Sequence, residues 1–191
     1  PSDSLSSTTI PDPMAWPTDT TVYTVTVSDT NACVSTDNVT VVVNPLPNAD
    51  AGPVLQVCIG DSVQLDGSGG DIYVWTPAPD LDDPNAEDPW ASPIDTTMFY
   101  VTVTDSNGCV NFDSTEVVVN PLPIVDAGPN LQMCIGDSVQ LIATGGVGFS
   151  WSPITGLSDP NLFDPMASPA ATTLYFVTSI DTNGCISIDY E

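Results

Sequence analysis

Cysteine is the most reactive residue type in this chain, and its five copies recur at a fixed spacing. Cys58 and Cys134 are 76 positions apart, and the same offset relates Cys33, Cys109 and Cys185. The simplest interpretation is one disulfide per repeating unit, Cys58 with Cys109 and Cys134 with Cys185, while Cys33 pairs with a cysteine outside these residues. Closing a loop of about 50 residues would contribute roughly 4 kcal/mol, mainly by restricting the unfolded chain. Disulfides persist in oxidising compartments, so this interpretation predicts an extracellular protein.

Two other arrangements of the cysteines remain open at this point. A bridge between repeating units would use the same residues, and buried free thiols would form no bridge at all. A zinc site is disfavoured because the chain has no histidine and no closely spaced pair of cysteines.

The charge of the chain excludes several classes of partner and of chemistry. It has no lysine, arginine or histidine against 25 acidic residues, which gives a formal net charge of −25. Such a surface repels nucleic acid and anionic membranes, so neither nucleic-acid binding nor direct membrane insertion is expected. The histidine and lysine bases of most enzymes are missing, and we expect no enzymatic activity. Because 41% of the residues are hydrophobic, the chain is nevertheless predicted to fold.

Carboxylates and amides on two equivalent segments form a candidate calcium site. Calcium takes six to eight oxygen ligands, often from acidic loops of extracellular proteins. The spacing differs from that of an EF-hand, and Asp-Pro and Pro-Asn steps are also ordinary turn formers. Calcium is the only cofactor predicted here, and the candidate ligands are Asp83, Asn85 and Asp88 and their equivalents Asp159, Asn161 and Asp164.

Four tryptophans divide into two kinds. Trp75 and Trp151 obey the 76-residue offset and are predicted to be core residues. Trp16 and Trp90 do not obey it, so a shared core cannot require them. They are the best candidates for contact with a glycan or a neighbouring protein.

The offset extends over almost the whole sequence. The segment "CIGDSVQL" occurs at 58–65 and again at 134–141, and "NGC" and "PLP" also recur at the same distance. Fixed-period similarity of this kind indicates a repeat protein. It divides the chain into the later part of a first repeat (1–44), a complete second repeat (45–120) and a third repeat (121–191) that lacks its last strand. The first repeat lacks its early strands and should not fold without additional sequence or a neighbouring molecule.

Strand signals dominate each repeat. Apolar and polar residues alternate at 21–29 and 98–105, and a tight Asn-Gly turn at 107–108 leads into a further strand. Short strands, frequent turns and a tryptophan on an early-middle strand are typical of an immunoglobulin-like β-sandwich. The two prolines of "PLP" make a stiff linker. The predicted fold is therefore all-β, with tandem immunoglobulin-like domains arranged as a rod.

Taken together, these motifs resemble the PKD-like, immunoglobulin-like repeats of large bacterial cell-surface adhesins exported by type IX secretion. The resemblance rests on "CIGDSVQL", "GLSDPN", "NGC" and "VVVNPLP", although the "WDFGDG" segment of PKD domains is missing. It implies a β-sandwich, a paired cysteine per repeat and a non-catalytic spacer or adhesive role. It also implies O-glycosylation where Asp precedes a Ser or Thr that is followed by an apolar residue or Thr, which fits Ser4, Thr20, Ser62, Thr96, Ser114 and Ser138.

These observations predict a structural or adhesive segment of an extracellular bacterial surface protein or filament, acting as a stiff disulfide-stapled spacer. Its expected partners are neighbouring copies of the same repeat or chain, and glycans or surface proteins. The alternatives are a true carbohydrate- or protein-binding module and an ancillary region of a large secreted hydrolase.

Overall fold

The computed structural model describes residues 4–190, and all thirteen regular elements among them are β-strands. The predicted all-β class is therefore confirmed. Within this described part of the chain, no helix is long and apolar enough to cross a membrane.

The first repeat contributes one hairpin, formed by β1 (Thr21–Ser28) and β2 (Val34–Val41). The strands pair antiparallel over their whole length, from Thr21 opposite Val41 to Ser28 opposite Val34. The alternation of the sequence correctly predicts β1. The second strand begins four residues earlier than the predicted 38–44, because pairing runs directly out of the tight turn.

The second repeat is a sandwich of two sheets. The sheet order is β3-β8-β7-β5, in which β7 pairs antiparallel with both of its neighbours and β3 runs parallel to the last residues of β8. A second sheet is formed by β4 and β6. The strands are β3 (Leu55–Cys58), β4 (Val63–Gln64), β5 (Ile72–Thr76), β6 (Trp90–Ala91), β7 (Thr97–Thr104) and β8 (Val110–Asn120).

The third repeat has the same plan with one strand fewer. Its strands are β9 (Val139–Gln140), β10 (Gly148–Ser152), β11 (Met166–Ala167), β12 (Phe176–Ile180) and β13 (Ile186–Tyr190). The order β10-β12-β13 repeats β5-β7-β8, and β11 pairs with β9. Strand β13 therefore corresponds to the first half of β8, the last strand of the second repeat. Residues 131–134, the equivalent of β3, form no strand because the residues that pair with β3 have no counterpart up to residue 191.

Two separate hydrophobic cores form, and each draws its residues from one repeat. The first contains Trp75, Phe99 and Val101, and the second contains Trp151 and Val177. Each core combines residues of both sheets of its repeat, which is the defining feature of a β-sandwich.

The two core tryptophans have equivalent environments. Trp75 is 0% exposed and Trp151 is 1% exposed. The indole Nε1–H of Trp75 donates to the carbonyl of Glu87 at 3.1 Å, and that of Trp151 donates to the carbonyl of Leu162 at 3.0 Å. Burial with a satisfied N–H makes them structural residues, as their periodicity predicts.

The hairpin of the first repeat leaves its apolar face open. Val25 and Val27 are 56% and 61% exposed, whereas their equivalents Val101 and Val103 in β7 are 0% exposed. In the second repeat this face packs in a core that includes Leu65, Tyr73 and Trp75, and none of these three has a counterpart within residues 4–44.

Candidate functional site

The site that best distinguishes this chain is a disulfide between two repeats. Cys58, at the end of β3 in the second repeat, is bonded to Cys185, which lies in the turn between β12 and β13 of the third repeat. Their Cα atoms are 5.6 Å apart, and 127 positions separate them in sequence. The bond therefore joins two domains that have separate cores. Of the arrangements that the sequence leaves open, the structure contains the bridge between repeats.

The predicted bonds within each repeat are wrong, and β8 gives the physical reason. Cys109 immediately precedes β8, whereas Cys58 pairs with Asn120 at its other end. Eleven residues of extended strand span about 35 Å, because each residue advances about 3.3 Å. A disulfide requires Cα atoms less than about 7 Å apart, so Cys58 cannot reach Cys109. Cys134 is free and Cys185 is bonded to Cys58, so the predicted bond between Cys134 and Cys185 is not formed either.

The three remaining cysteines carry free thiols. Cys33 and Cys134 are exposed, and Cys109 is half-buried. The disulfides predicted for Cys109 and Cys134 are therefore not formed within these residues. Pairing of Cys33 with a cysteine outside them stays a prediction.

A small carboxylate-centred turn presents Cys185 to its partner. The Oδ1 atom of Asp181 accepts hydrogen bonds from the backbone N–H of Asn183 at 2.8 Å and of Cys185 at 2.9 Å. Gly184, at φ +85°, adopts the left-handed conformation that closes the turn. Asp181 and Asn183 are not among the predicted site residues, although the "D-x-N-G-C" pattern that recurs at 105–109 and 181–185 indicates a shared turn.

The same turn recurs before the other two cysteines of this type. Asp105 accepts from the N–H groups of Asn107 and Cys109, both at 2.9 Å. Asp29 accepts from those of Asn31 and Cys33, both at 2.8 Å. The hydrogen bonds of the cysteine-bearing turn thus recur in all three repeats, whether or not the thiol is bonded.

Hydrogen bonding in these turns lowers the pKa of two exposed carboxyl groups. The N–H of Cys33 is the main cause for Asp29, with further contributions from Asn31. The N–H of Cys109 is the main cause for Asp105, with contributions from Asn107. Both carboxylates favour the ionised form because it is the stronger acceptor.

A second recurring turn follows the other cysteine of each repeat. The N–H of Asp61 donates to the carbonyl of Cys58 at 3.0 Å, and the N–H of Asp137 donates to that of Cys134, also at 3.0 Å. Glycines at φ +92° (Gly60) and +95° (Gly136) complete the two turns. In the second repeat, the N–H of Ile59 also donates to the carbonyl of Asn120 at 2.9 Å, which fixes this turn at the end of β8.

A cleft of about 400 Å³ surrounds the bonded joint. Most of its lining comes from the second repeat and is polar, and one side chain of the third repeat completes it. The lining residues are Gln56, Val57, Cys58, Asp61, Ser62, Asn120 and Asn183. The joint is thus a polar contact held by one covalent bond.

The candidate calcium ligands have structural partners. Asp83 accepts from the N–H of Asn85 at 2.9 Å, and Asp159 accepts from the N–H of Asn161 at 2.9 Å. Asp88 accepts from the N–H of Gly67 at 3.2 Å. Between residues 4 and 190, no three His, Cys, Asp or Glu side chains are grouped to hold a metal ion. Calcium binding by the predicted oxygen set, which includes Asp164, stays a prediction.

The candidate glycosylation residues lie mainly at the surface. Ser62, Ser114 and Ser138 are exposed, as are Thr20 and Thr96, whereas Ser4 is half-buried. Two of the hydroxyl groups have a structural partner, since Thr20 accepts from the N–H of Val43 and Thr96 from that of Val119, both at 3.1 Å. Modification at these positions stays a prediction.

The two tryptophans outside the repeat pattern are exposed. Trp16 is 59% exposed and Trp90 is 47% exposed. The backbone N–H of Trp90 donates to Oδ1 of Asp82 at 2.8 Å, which fixes the main chain at this position of β6. Their role as contact residues stays a prediction.

No family model matches the sequence, and no curated protein matches it either. Among solved structures, the PKD domain of the KIAA 1837 protein is 27% identical with a TM-score of 0.34, over 47% of this chain and 98% of that one. The N-terminal eight Ig domains of Down Syndrome Cell Adhesion Molecule are 11% identical with a TM-score of 0.47, over 93% of this chain and 36% of that one. The insect immune protein hemolin is 11% identical with a TM-score of 0.38, over 88% of this chain and 54% of that one. The strand order and the two separate cores make this chain an all-β protein of tandem β-sandwich domains.

Proposed function

We propose that this chain is a non-catalytic spacer segment of an extracellular surface protein or filament, in which a disulfide clamps consecutive β-sandwich repeats to one another. The observation that carries this proposal is the bond between Cys58 and Cys185, which crosses from one core to the next. An extracellular location follows from the same bond, because disulfides persist in oxidising environments. The absence of basic residues also leaves trypsin-like proteases no cleavage site.

The bond changes the path that tension takes through the chain. When the two ends of the chain are pulled, the tension that reaches Cys58 from the N-terminal side passes through the disulfide directly to Cys185. The residues between them, which include most of both cores, are then excluded from the stretched path. A clamp of this kind limits extension even when a sandwich unfolds, and limited extension is what a spacer requires.

Single-molecule force spectroscopy on the full chain, tethered at its two ends, tests this mechanical role. The oxidised chain should release no contour length from residues 58–185. Reduction should release about 430 Å more, because each of the 127 residues adds about 3.4 Å when extended.

Two variants make the comparison specific to this bond. Cys58→Ser should behave in oxidising buffer as the reduced chain does, whereas Cys109→Ser should behave as the unchanged oxidised chain. Equal extension of the oxidised chain and of Cys58→Ser would reject the clamp.

Exposed tryptophans favour a second candidate function, binding of glycans or surface proteins. Trp90 projects from β6 at 47% exposure and has no tryptophan counterpart in the other repeats. Exposed aromatic rings are frequent contact residues. Binding on a glycan array that is lost in Trp90→Ala but kept in Met166→Ala, at the equivalent position of the third repeat, would support this function.

A further inference from the structure

We propose that Cys134 and Cys33 are complementary halves of the same inter-repeat disulfide, made between two copies of this chain joined head to tail. The inference deepens the proposed clamp and rests on it. It assigns a partner to two free thiols that have none within residues 4–190.

The turn that follows Cys134 has the same structure as the turn that follows the bonded Cys58. Each cysteine is followed by a turn in which the N–H three positions later returns to the cysteine carbonyl at 3.0 Å. Each turn contains a glycine with φ above +90°, Gly60 in one repeat and Gly136 in the other. Cys134 is exposed and therefore open to a partner thiol.

Cys33 has the local structure of the bonded Cys185. The carboxylates of Asp29 and Asp181 hold the cysteine N–H at 2.8 Å and 2.9 Å respectively. They also hold the N–H two positions earlier in the chain, at 2.8 Å in both turns. The chain therefore contains a second, unbonded cysteine of each kind: Cys134 corresponds to Cys58, and Cys33 corresponds to Cys185.

Accessibility selects Cys33 over Cys109 as the partner. Cys33 is exposed, whereas Cys109 is half-buried. The side-chain amide of Asn111, two positions after Cys109, donates to the carbonyl of Pro47 at 2.9 Å. The linker from the first repeat thus lies beside Cys109. It occupies the position that a repeat of another molecule would need in order to dock there.

Oxidation by a small disulfide such as oxidised glutathione gives a balanced reaction. The thiolate of Cys134 attacks the glutathione disulfide, forms a mixed disulfide and releases one glutathione thiolate. The thiolate of Cys33 of the second copy then attacks the Cys134 sulfur and releases the other glutathione. Two protein thiols are oxidised, one glutathione disulfide is reduced to two thiols, and the two protein protons pass to the glutathione thiolates.

Because the proposed bond joins Cys134 of one copy to Cys33 of another, it can link more than two copies. Each copy carries one Cys134 and one Cys33 on different repeats, so two copies joined by one bond retain one free Cys33 and one free Cys134 between them. A head-to-tail contact of this type generates an open chain unless its rotation closes a ring. The partner surface is therefore a second copy of this chain.

Single-thiol variants of the full chain test this pairing. In a Cys109→Ser background, Cys33→Ser leaves Cys134 as the free thiol, and Cys134→Ser leaves Cys33. Each variant is incubated with a glutathione redox buffer, alone and mixed, and analysed by intact mass spectrometry without reductant. A disulfide-linked dimer should form in the mixture and be lacking in either variant alone.

Two results would overturn the inference: like-with-like dimers in the separate variants, or no dimer in the mixture. Peptide mapping of the same samples reports the bond between Cys58 and Cys185 independently. If that bond is present and the mixed dimer is absent, only the pairing of Cys134 with Cys33 fails. If the bond itself is absent, the proposed clamp fails.

Discussion

Cys58 and Cys109 belong to the same repeat yet lie at opposite ends of β8, and Cys58 is bonded instead to Cys185 of the following repeat. The second and third repeats thus each carry two cysteines, one near the end where the chain enters the repeat and one near the end where it leaves. Disulfides between such positions connect neighbours in series and do not staple a single core.

The third repeat contains a buried hydroxyl group without a hydrogen-bond partner. Ser179 is 0% exposed, and its Oγ has no hydrogen-bond partner. Its equivalent Val103 packs in the core of the second repeat beside Gly70, the counterpart of Gly146. We expect Ser179→Val to stabilise the third repeat by about 1–2 kcal/mol.

Hydrogen exchange of the β12 amides measures this gain. Ser150→Val makes the same substitution at an exposed position of β10 and controls for strand propensity. A gain no larger than that of the control would show that the hydroxyl of Ser179 is satisfied in solution.

The two equivalent valines of β1 and β7 should respond differently to truncation. Val101 is 0% exposed, and Val101→Ala should cost about 2–3 kcal/mol through lost burial and the resulting cavity. Val25 is 56% exposed, and Val25→Ala should change stability by no more than about 0.5 kcal/mol. Urea unfolding of both variants makes the comparison, and equal losses would mean that the face of the first hairpin is covered in solution.

One turn of the first repeat contains a strained residue that its equivalents avoid. Ala32 has φ +62°, where the other repeats have Gly108 and Gly184. A Cβ at Gly108 would meet no atom within 4 Å, so the cost at this position is that of the backbone alone. Ala32→Gly should stabilise the hairpin by about 1 kcal/mol, and Gly108→Ala should destabilise its own turn by a similar amount. Amide exchange in β1 and β7 measures both, and a loss on Ala32→Gly would contradict this explanation.

Acid should loosen the turns that present the cysteines. The pKa of Asp105 is lower in the folded chain than its ordinary value of 3.8, mainly because the N–H of Cys109 donates to it. Its stabilising effect is therefore complete above the unfolded pKa of about 3.9 and is lost as the pH falls through the folded value. The amide signals of Asn107 and Cys109 should stay constant from neutral pH to about pH 5 and shift only in stronger acid.

Asp105→Asn is the matched control for this titration, since it keeps a side-chain oxygen and removes the charge. Its turn amides should lose the acid transition. A transition of the unchanged chain with a midpoint above pH 4 would mean that the carboxylate is not the acceptor.

Local pattern was sufficient to predict much of the fold. The alternation in β1 and β7 and the Asn-Gly turn predict the hairpins, because period-two burial and positive φ are local properties. The spacing of Trp75 and Trp151 likewise predicts their equivalent core positions. The continuous extent of β8 from Val110 was less evident, because its first residues alternate more weakly than the run of valines that ends it.

The cysteine pairing could not be predicted from the same information. It depends on the parallel pairing of β3 with the end of β8, which places Cys58 beside the linker and far from Cys109. Two segments about sixty residues apart make this contact, and no local motif reports it. Once that register is known, strand length alone excludes the bond within the repeat.

The central claim is that the disulfide joins repeats, and non-reducing peptide mapping of the oxidised full chain tests it most directly. Because the chain has no lysine or arginine, an acid-residue-specific protease must replace trypsin. We predict a cross-linked peptide containing Cys58 and Cys185 that disappears on reduction. Cross-links of Cys58 to Cys109 and of Cys134 to Cys185 would contradict the account.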